Sequence, residues 1–155
     1  YCSMMKKFIL IFLFLFSACG YSPVYKGISE SNFEIDIQNF SGDSYINNGI
    51  KNSLLKYSQR GNSGKILFKL DISTEYEKKS ISKNLAGEST SYELRVTSSV
   101  SINSDTINDK IIIIEKFNMT SIDDDFEEKE YENTIKNNFA NSISRKIVTT
   151  ISQSQ

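Results

Sequence analysis

The chain has 155 residues, with 18 basic and 19 acidic side chains giving a formal charge of −1, and it contains no histidine. That balance supplies no basic field to attract nucleic acid. The missing imidazole removes the commonest general base, both His-dependent nucleophile pairs and the commonest ligand of zinc and other transition metals. Binding, with no cofactor, is therefore expected ahead of catalysis.

Tyr1, Cys2 and Ser3 precede two methionines, and the start is read at Met4 or Met5. Lys6 and Lys7 form a positive head, Phe8 to Phe16 is an unbroken apolar run, and Ser17 and Ala18 lead into Cys19. That order is the one expected of a secretory signal. The run is about half of the ~20 residues that a spanning helix needs. Ser17-Ala18-Cys19 resembles the lipobox of bacterial lipoproteins, with Phe16 standing where Leu is usual. By that resemblance Cys19 becomes the mature N-terminus and carries acyl chains, each buried methylene contributing about 0.8 kcal/mol to membrane attachment. Gly20 follows, where an Asp commonly retains such proteins in the inner membrane, so the resemblance implies the outer membrane, with the body facing the periplasm.

Removing residues 1–18 as upstream residues and signal peptide leaves 137 of the 155, residues 19–155, enough for a single domain with its own core. The loss of Lys6 and Lys7 moves the formal charge from −1 to −3. With Cys19 acylated no disulfide framework is available, and packing alone must hold the domain.

Pro23, between Tyr21 and Tyr25, favours an extended tether after the anchor. Phe33, Ile35 and Ile37 alternate with Glu34 and Asp36, which predicts a strand ending in a turn over Asn39, Ser41, Gly42 and Asp43. Ile46, Ile50, Leu54 and Tyr57 form a helical stripe over Ser44 to Gln59, capped by Asp43 or Ser44 and weakened at Gly49. Arg60 to Gly64 stops it.

Ile66, Phe68, Leu70 and Ile72 then alternate strictly within a strand from Lys65 to Ser80, whose polar half, Glu75 to Lys79, is expected to project as a ribbon beyond the body. Asn84 to Ser89 reads as a hairpin tip, and Thr90 to Asn103 as the returning strand. A third strand runs from Lys110 to Ile122, where four consecutive isoleucines, Ile111 to Ile114, suggest burial on both faces or a covered edge. Asp123 to Glu128 lacks the glycine of a calcium loop and reads as acidic capping of a last helix, Asp125 to Ile151. That helix carries a stripe of Phe126, Ile135, Phe139, Ile143, Ile147 and Ile151, with Asn137, Asn141, Ser144 and Lys146 facing elsewhere.

The resulting order βαβββα predicts an α+β two-layer sandwich, a four-stranded, mainly antiparallel sheet with both helices on one face.

Cys19, Gly20, Tyr21, Ser22, Pro23, Val24 and Tyr25 resemble the start of LptE (RlpB) lipoproteins, where Cys-Gly-Phe-x-Pro-Leu-Tyr is usual; Tyr21 replaces the Phe and Val24 the Leu. The later layout agrees, including Ser91-Tyr92-Glu93-Leu94 on the third strand and an acidic turn before a last helix with Phe139 and Ala140. The resemblance implies a non-enzymatic role in lipopolysaccharide export: a plug and assembly partner inside the LptD outer-membrane β-barrel. It makes lipopolysaccharide the expected ligand, for which Lys78, Lys79, Lys83 and Arg95 are the candidate phosphate contacts. An ordinary solvated hairpin with lysines guarding its edges accounts for the same residues. Ser98, Ser99, Ser101, Asn103 and Ser104 are expected to give a polar strand surface suited to a wet barrel lumen. The alternatives are a pilotin-like lipoprotein of another envelope complex, and a hydrolase built on Asp123 to Glu128, which would need a pocket uniting two carboxylates.

Overall fold

The computed structural model describes residues 32–58 and 64–154. The signal segment, Cys19 and the Gly20 to Tyr25 motif lie outside the described residues. Strand β1 spans Phe33–Gly42 and buries Phe33 and Ile35 as the alternation predicts. The turn expected at Asn39 does not form. The register with the next strand shifts between Ile37 and Asn39, and this bulge returns Phe40 to the apolar side, opposite Ile72. The strand ends at Gly42, whose φ of +92° and close approach to the Thr74 carbonyl exclude a side chain.

Asp43 caps helix α1 (Ser44–Leu54), its carboxylate accepting the Ile46 amide at 2.9 Å. Ile46, Ile50 and Leu54 are buried. A 3-10 turn, Leu55–Tyr57, replaces the predicted last helical turn, and the Tyr57 ring stacks on Phe33 at 5.6 Å between centroids.

Strand β2 (Ile66–Lys83) lies parallel to β1, and β3 (Ser89–Asn103) and β4 (Asn108–Thr120) follow antiparallel, in the spatial order β1-β2-β3-β4. Phe68, Leu70 and Ile72 meet Leu94, Val96, Val100 and Ile102 in the core. Ile66 is exposed instead, because β3 pairing begins only at Lys69 and leaves the first turnings of β2 with one neighbour.

Helix α2 (Asp125–Gln153) is capped by Asp124, which accepts the Phe126 and Glu127 amides at 2.9 Å, with Asp125, Glu127 and Glu128 in its first turn. Ile135, Phe139, Ile143, Ile147 and Ile151 are buried as the stripe predicts. Phe126 is 75% exposed. It stands nine residues before Ile135, and at about 100° per residue that places it on the opposite side of the helix. Ser144, expected outside, is buried, and its hydroxyl donates to the Ala140 carbonyl at 2.7 Å. The two helices pack closely, because a Cβ on Gly49 would lie 2.7 Å from that of Ala140. The observed architecture is the α+β sandwich of four strands and two helices.

Candidate functional site

Strand parity divides the basic residues of the hairpin. Lys78 shares the helix-facing side of β2 with Thr74 and Tyr76, whereas Lys79 on β2 and Arg95 on β3 belong to the opposite, open side. Lys83 lies beyond an irregularity at Ser80 and Ser82, close to the tip. The four residues therefore do not converge. On the open side Arg95 sits opposite Glu77 and Lys116, and Lys79 opposite Glu93, which Lys116 approaches at 3.5 Å. At the tip the Asn84 side-chain oxygen accepts the Ala86 and Glu88 amides, both at 3.0 Å, and Leu85 is left fully exposed.

The expected free ribbon is roofed as far as Lys78. Lys78 Nζ donates to Glu128 Oε1 at 2.7 Å and Glu132 Oε2 at 3.1 Å, and lies 4.4 Å from the centroid of the Tyr92 ring. Glu128 also accepts the Ser121 hydroxyl and the Ile122 amide, which ties the β4–α2 connection into the same cluster. Two turns along α2, Lys136 Nζ donates to Asp43 Oδ2 at 2.9 Å and stands 3.9 Å over Tyr76. Glu132 and Lys136 are buried. Both fall, at helical spacing, within the stripe of Ile135, Phe139 and Ile143, where apolar residues are expected; their i, i+4 spacing is the one local sign that they act together.

Electrostatics confirm a mutually compensated cluster. Burial alone would raise the Glu132 carboxyl, but Lys78 outweighs it and holds the group below the usual range. Lys78 depresses Glu128 in the same way, while the Ile46 amide and Lys136 outweigh burial at Asp43. Burial would lower the Lys78 ammonium, but Glu128 and Glu132 overcome it and raise the group. Burial and the Glu132 carboxylate push the Tyr76 hydroxyl well above its ordinary value.

The open side of the sheet is the larger feature. Ser41, Ser73 and Ser99 align across three strands and meet Ile112 on β4; the adjacent row runs Asn39, Asp71, Ser101, Lys110. Asn39 donates to Asp71 at 2.7 Å. Small hydroxyls and amides thus form a hydrogen-bonding wall. Ser98 is not part of it: its parity places it in the core, fully buried, and its hydroxyl has no partner among the described residues. Ser104 serves the β3–β4 turn, accepting the Ile107 amide at 3.1 Å.

The isoleucine run is buried on one side only. Ile113 is buried and Ile111 half-buried, while Ile112 is 66% and Ile114 46% exposed. Strand β4 pairs only with β3, so its outer edge has no cover among the described residues. Asp123, Asp124, Asp125 and Glu127 are exposed, with Asp124 capping α2 and Glu128 held by Lys78. Among the described residues, none of the three main grooves is lined by any of them. A groove of about 560 Å³ lies between the helices, lined by Leu54, Lys56, Tyr57, Asn141, Arg145 and Val148.

No protein-family model matches the chain, and no curated sequence does. Its fold is similar to that of rare lipoprotein B from Shewanella oneidensis, with a TM-score of 0.57 at 9% identity over 77% of this chain and 96% of that one. It is similar to a Caulobacter crescentus chain solved as a candidate lipoprotein, with a TM-score of 0.56 at 14% identity over 83% of this chain and 98% of that one. It also resembles lipoprotein B from Nitrosomonas europaea, with a TM-score of 0.50 at 11% identity over 77% and 84%. At these identities the likeness establishes an LptE-like fold.

Proposed function

We propose that the chain is an outer-membrane lipoprotein, held through acyl chains on Cys19, which enters an LptD-type β-barrel from the periplasm as plug and assembly partner and supports passage of lipopolysaccharide. The observation that carries this reading is the union, in one chain, of a lipobox-like sequence and a domain with the fold of rare lipoprotein B. Neither half is specific alone; together they support a tethered binding module.

The open face supports the same reading. A barrel lumen is polar and wet, and a wall of Ser73, Thr97, Ser99, Ser101 and Asn103 offers it hydrogen bonds. Lys79, Lys83 and Arg95 are the hairpin cations left to meet the phosphates of the glycolipid, with Arg95 suited to bidentate contact. Lys78 is committed to Glu128 and Glu132 and is assigned to the fold.

The test is detergent extraction of native envelopes followed by purification through this chain. A β-barrel of the LptD kind should copurify, and Cys19→Ala should reduce its recovery. Recovery of the chain alone from membranes that contain the barrel overturns the reading.

A further inference from the structure

Exposed sheet edges invite pairing, and proteins blunt them with bulges, prolines, charges or covers. The two edges here differ. Strand β1 is interrupted by its bulge at Ile37 and Asn39 and, apart from Phe40, is polar from Gln38 onward. Strand β4 pairs with β3 over thirteen residues without a register shift, contains no proline, and presents four isoleucines at its middle. Charges stand only at the ends of that run: Asp109 and Lys110 before it, Glu115 and Lys116 after it.

Pairing with a second copy is disfavoured by those charges. Antiparallel pairing of two β4 edges about a two-fold axis keeps each face on the same side, so opposed residues must have the same parity. Centring on Ile112 then sets Asp109 against Glu115, and centring on Ile113 sets Lys110 against Lys116. These two registers, the ones that set different isoleucines of the run opposite each other, oppose like charges, which is destabilising. Registers centred on Ile111 or Ile114 avoid that but set no two different isoleucines opposite each other, so the isoleucine run is matched better by a chain of other sequence.

Its surroundings specify the chemistry. Behind the edge, toward α2, runs a groove of about 470 Å³ lined by Ile111, Ile113, Arg145, Lys146, Thr149 and Thr150. Glu115 takes Lys146 at 2.8 Å and the Ser142 hydroxyl at 2.7 Å, which leaves the groove with more cation than anion. On the other side of the edge stand exposed Ile112 and Ile114 between Lys110 and Lys116. An added strand would direct alternate side chains to these two sides.

We infer that the β4 edge from Lys110 to Lys116 accepts, by strand addition, an extended segment of a partner protein in which apolar and acidic residues alternate. Apolar side chains lie over Ile112 and Ile114, acidic ones reach Arg145, whose neighbour Lys146 is already held by Glu115, and main-chain hydrogen bonds supply the remainder of the affinity. That the segment belongs to the barrel rests on the function proposed above; the edge chemistry does not.

The test uses the full lipidated chain in detergent with a synthetic peptide of alternating Glu and Val, and a second peptide of alternating Lys and Val. The acidic peptide at millimolar concentration should slow hydrogen exchange between Ile111 and Glu115 by about tenfold or more. The basic peptide should leave it unchanged. I112K/I114K, altering two exposed side chains, should abolish the protection while far-ultraviolet dichroism stays native. Unchanged exchange with the acidic peptide, or equal slowing by both peptides, overturns the inference. A chain that copurifies with the barrel yet shows no protection keeps the partner reading and loses this one; protection without copurification does the reverse.

Discussion

The Lys136 ammonium lies 2.9 Å from the Asp43 carboxylate and 3.9 Å above the Tyr76 ring, so one side chain of α2 joins the cap of α1 to the middle of β2. Three segments distant in sequence meet there without a disulfide. With Glu132, Glu128 and Lys78 the contact extends as an ionic clasp along the first three turns of α2, reaching the start of the apolar stripe at Ile135.

Removing the centre of that clasp should be costly. Lys136→Met leaves Asp43 and Glu132 without their shared cation, and loss of one partner of a buried pair typically costs about 3–5 kcal/mol. Asp43 is partly exposed and keeps its bond from the Ile46 amide, so a loss of about 1–3 kcal/mol is expected here. Urea denaturation measures it. Asp43→Asn in the Lys136→Met background should cost clearly less than in the native chain; equal costs would show that the two groups do not couple.

Stability should be flat across neutral pH and fall at both ends. Asp43, Glu115, Glu128 and Glu132 have depressed values in the fold, so their contribution is present above the unfolded carboxylate range and is lost as pH falls through the folded values. Lys78 and Tyr76 are raised. The stabilisation they carry is complete below their unfolded values, near pH 10, and declines as pH rises beyond that. Urea midpoints should therefore hold between about pH 5 and 10 and drop on either side. Glu128→Gln should lower the plateau and shallow the acid limb, whereas a variant as steep in acid as the native chain would remove Glu128 from the account.

Gly49 invites the opposite error from the one its helix propensity suggests. Alanine at an internal helix position normally gains roughly 1 kcal/mol over glycine. Here its Cβ would lie 2.7 Å from the Ala140 Cβ, and overpacking of that kind costs about 1–3 kcal/mol. Gly49→Ala should therefore destabilise, and Ala140→Gly should make the same change tolerable. Calorimetric midpoints of the two single variants and the double variant decide it; a stabilising Gly49→Ala would mean that the helices move apart freely.

Much of this architecture is legible because period two and period 3.6 record burial directly. Phe68 to Ile72, Leu94 to Ile102 and Ile135 to Ile151 each announce the face they bury. The bulge after Ile37 is hidden because polar Gln38 and Asn39 look like turn residues, and only pairing with β2 keeps them extended. Glu132 and Lys136 are hidden for a related reason. A charge reads as solvent-facing until a partner from another segment is known, and Asp43 and Lys78 are many residues away. The candidate basic site shows the same limit, since Lys78 and Lys79 are adjacent in sequence but on opposite faces of one strand.

That division gives the last prediction. Lys78→Glu would set a third carboxylate beside Glu128 and Glu132, and about 1–2 kcal/mol of stability should be lost, less than for a fully buried pair because solvent screens Lys78. Lys79→Glu and Lys83→Glu act at exposed positions and should each change stability by less than about 0.5 kcal/mol. Combined with Arg95→Gln, they should weaken binding to lipopolysaccharide micelles by about tenfold, since each cation lost from a phosphate contact removes a charge-assisted hydrogen bond. Thermal melts and micelle titrations on the same preparations separate the two effects. A triple variant that melts like the native chain and binds lipopolysaccharide equally well would remove the hairpin from glycolipid recognition, while leaving Lys78 as the pillar of the fold.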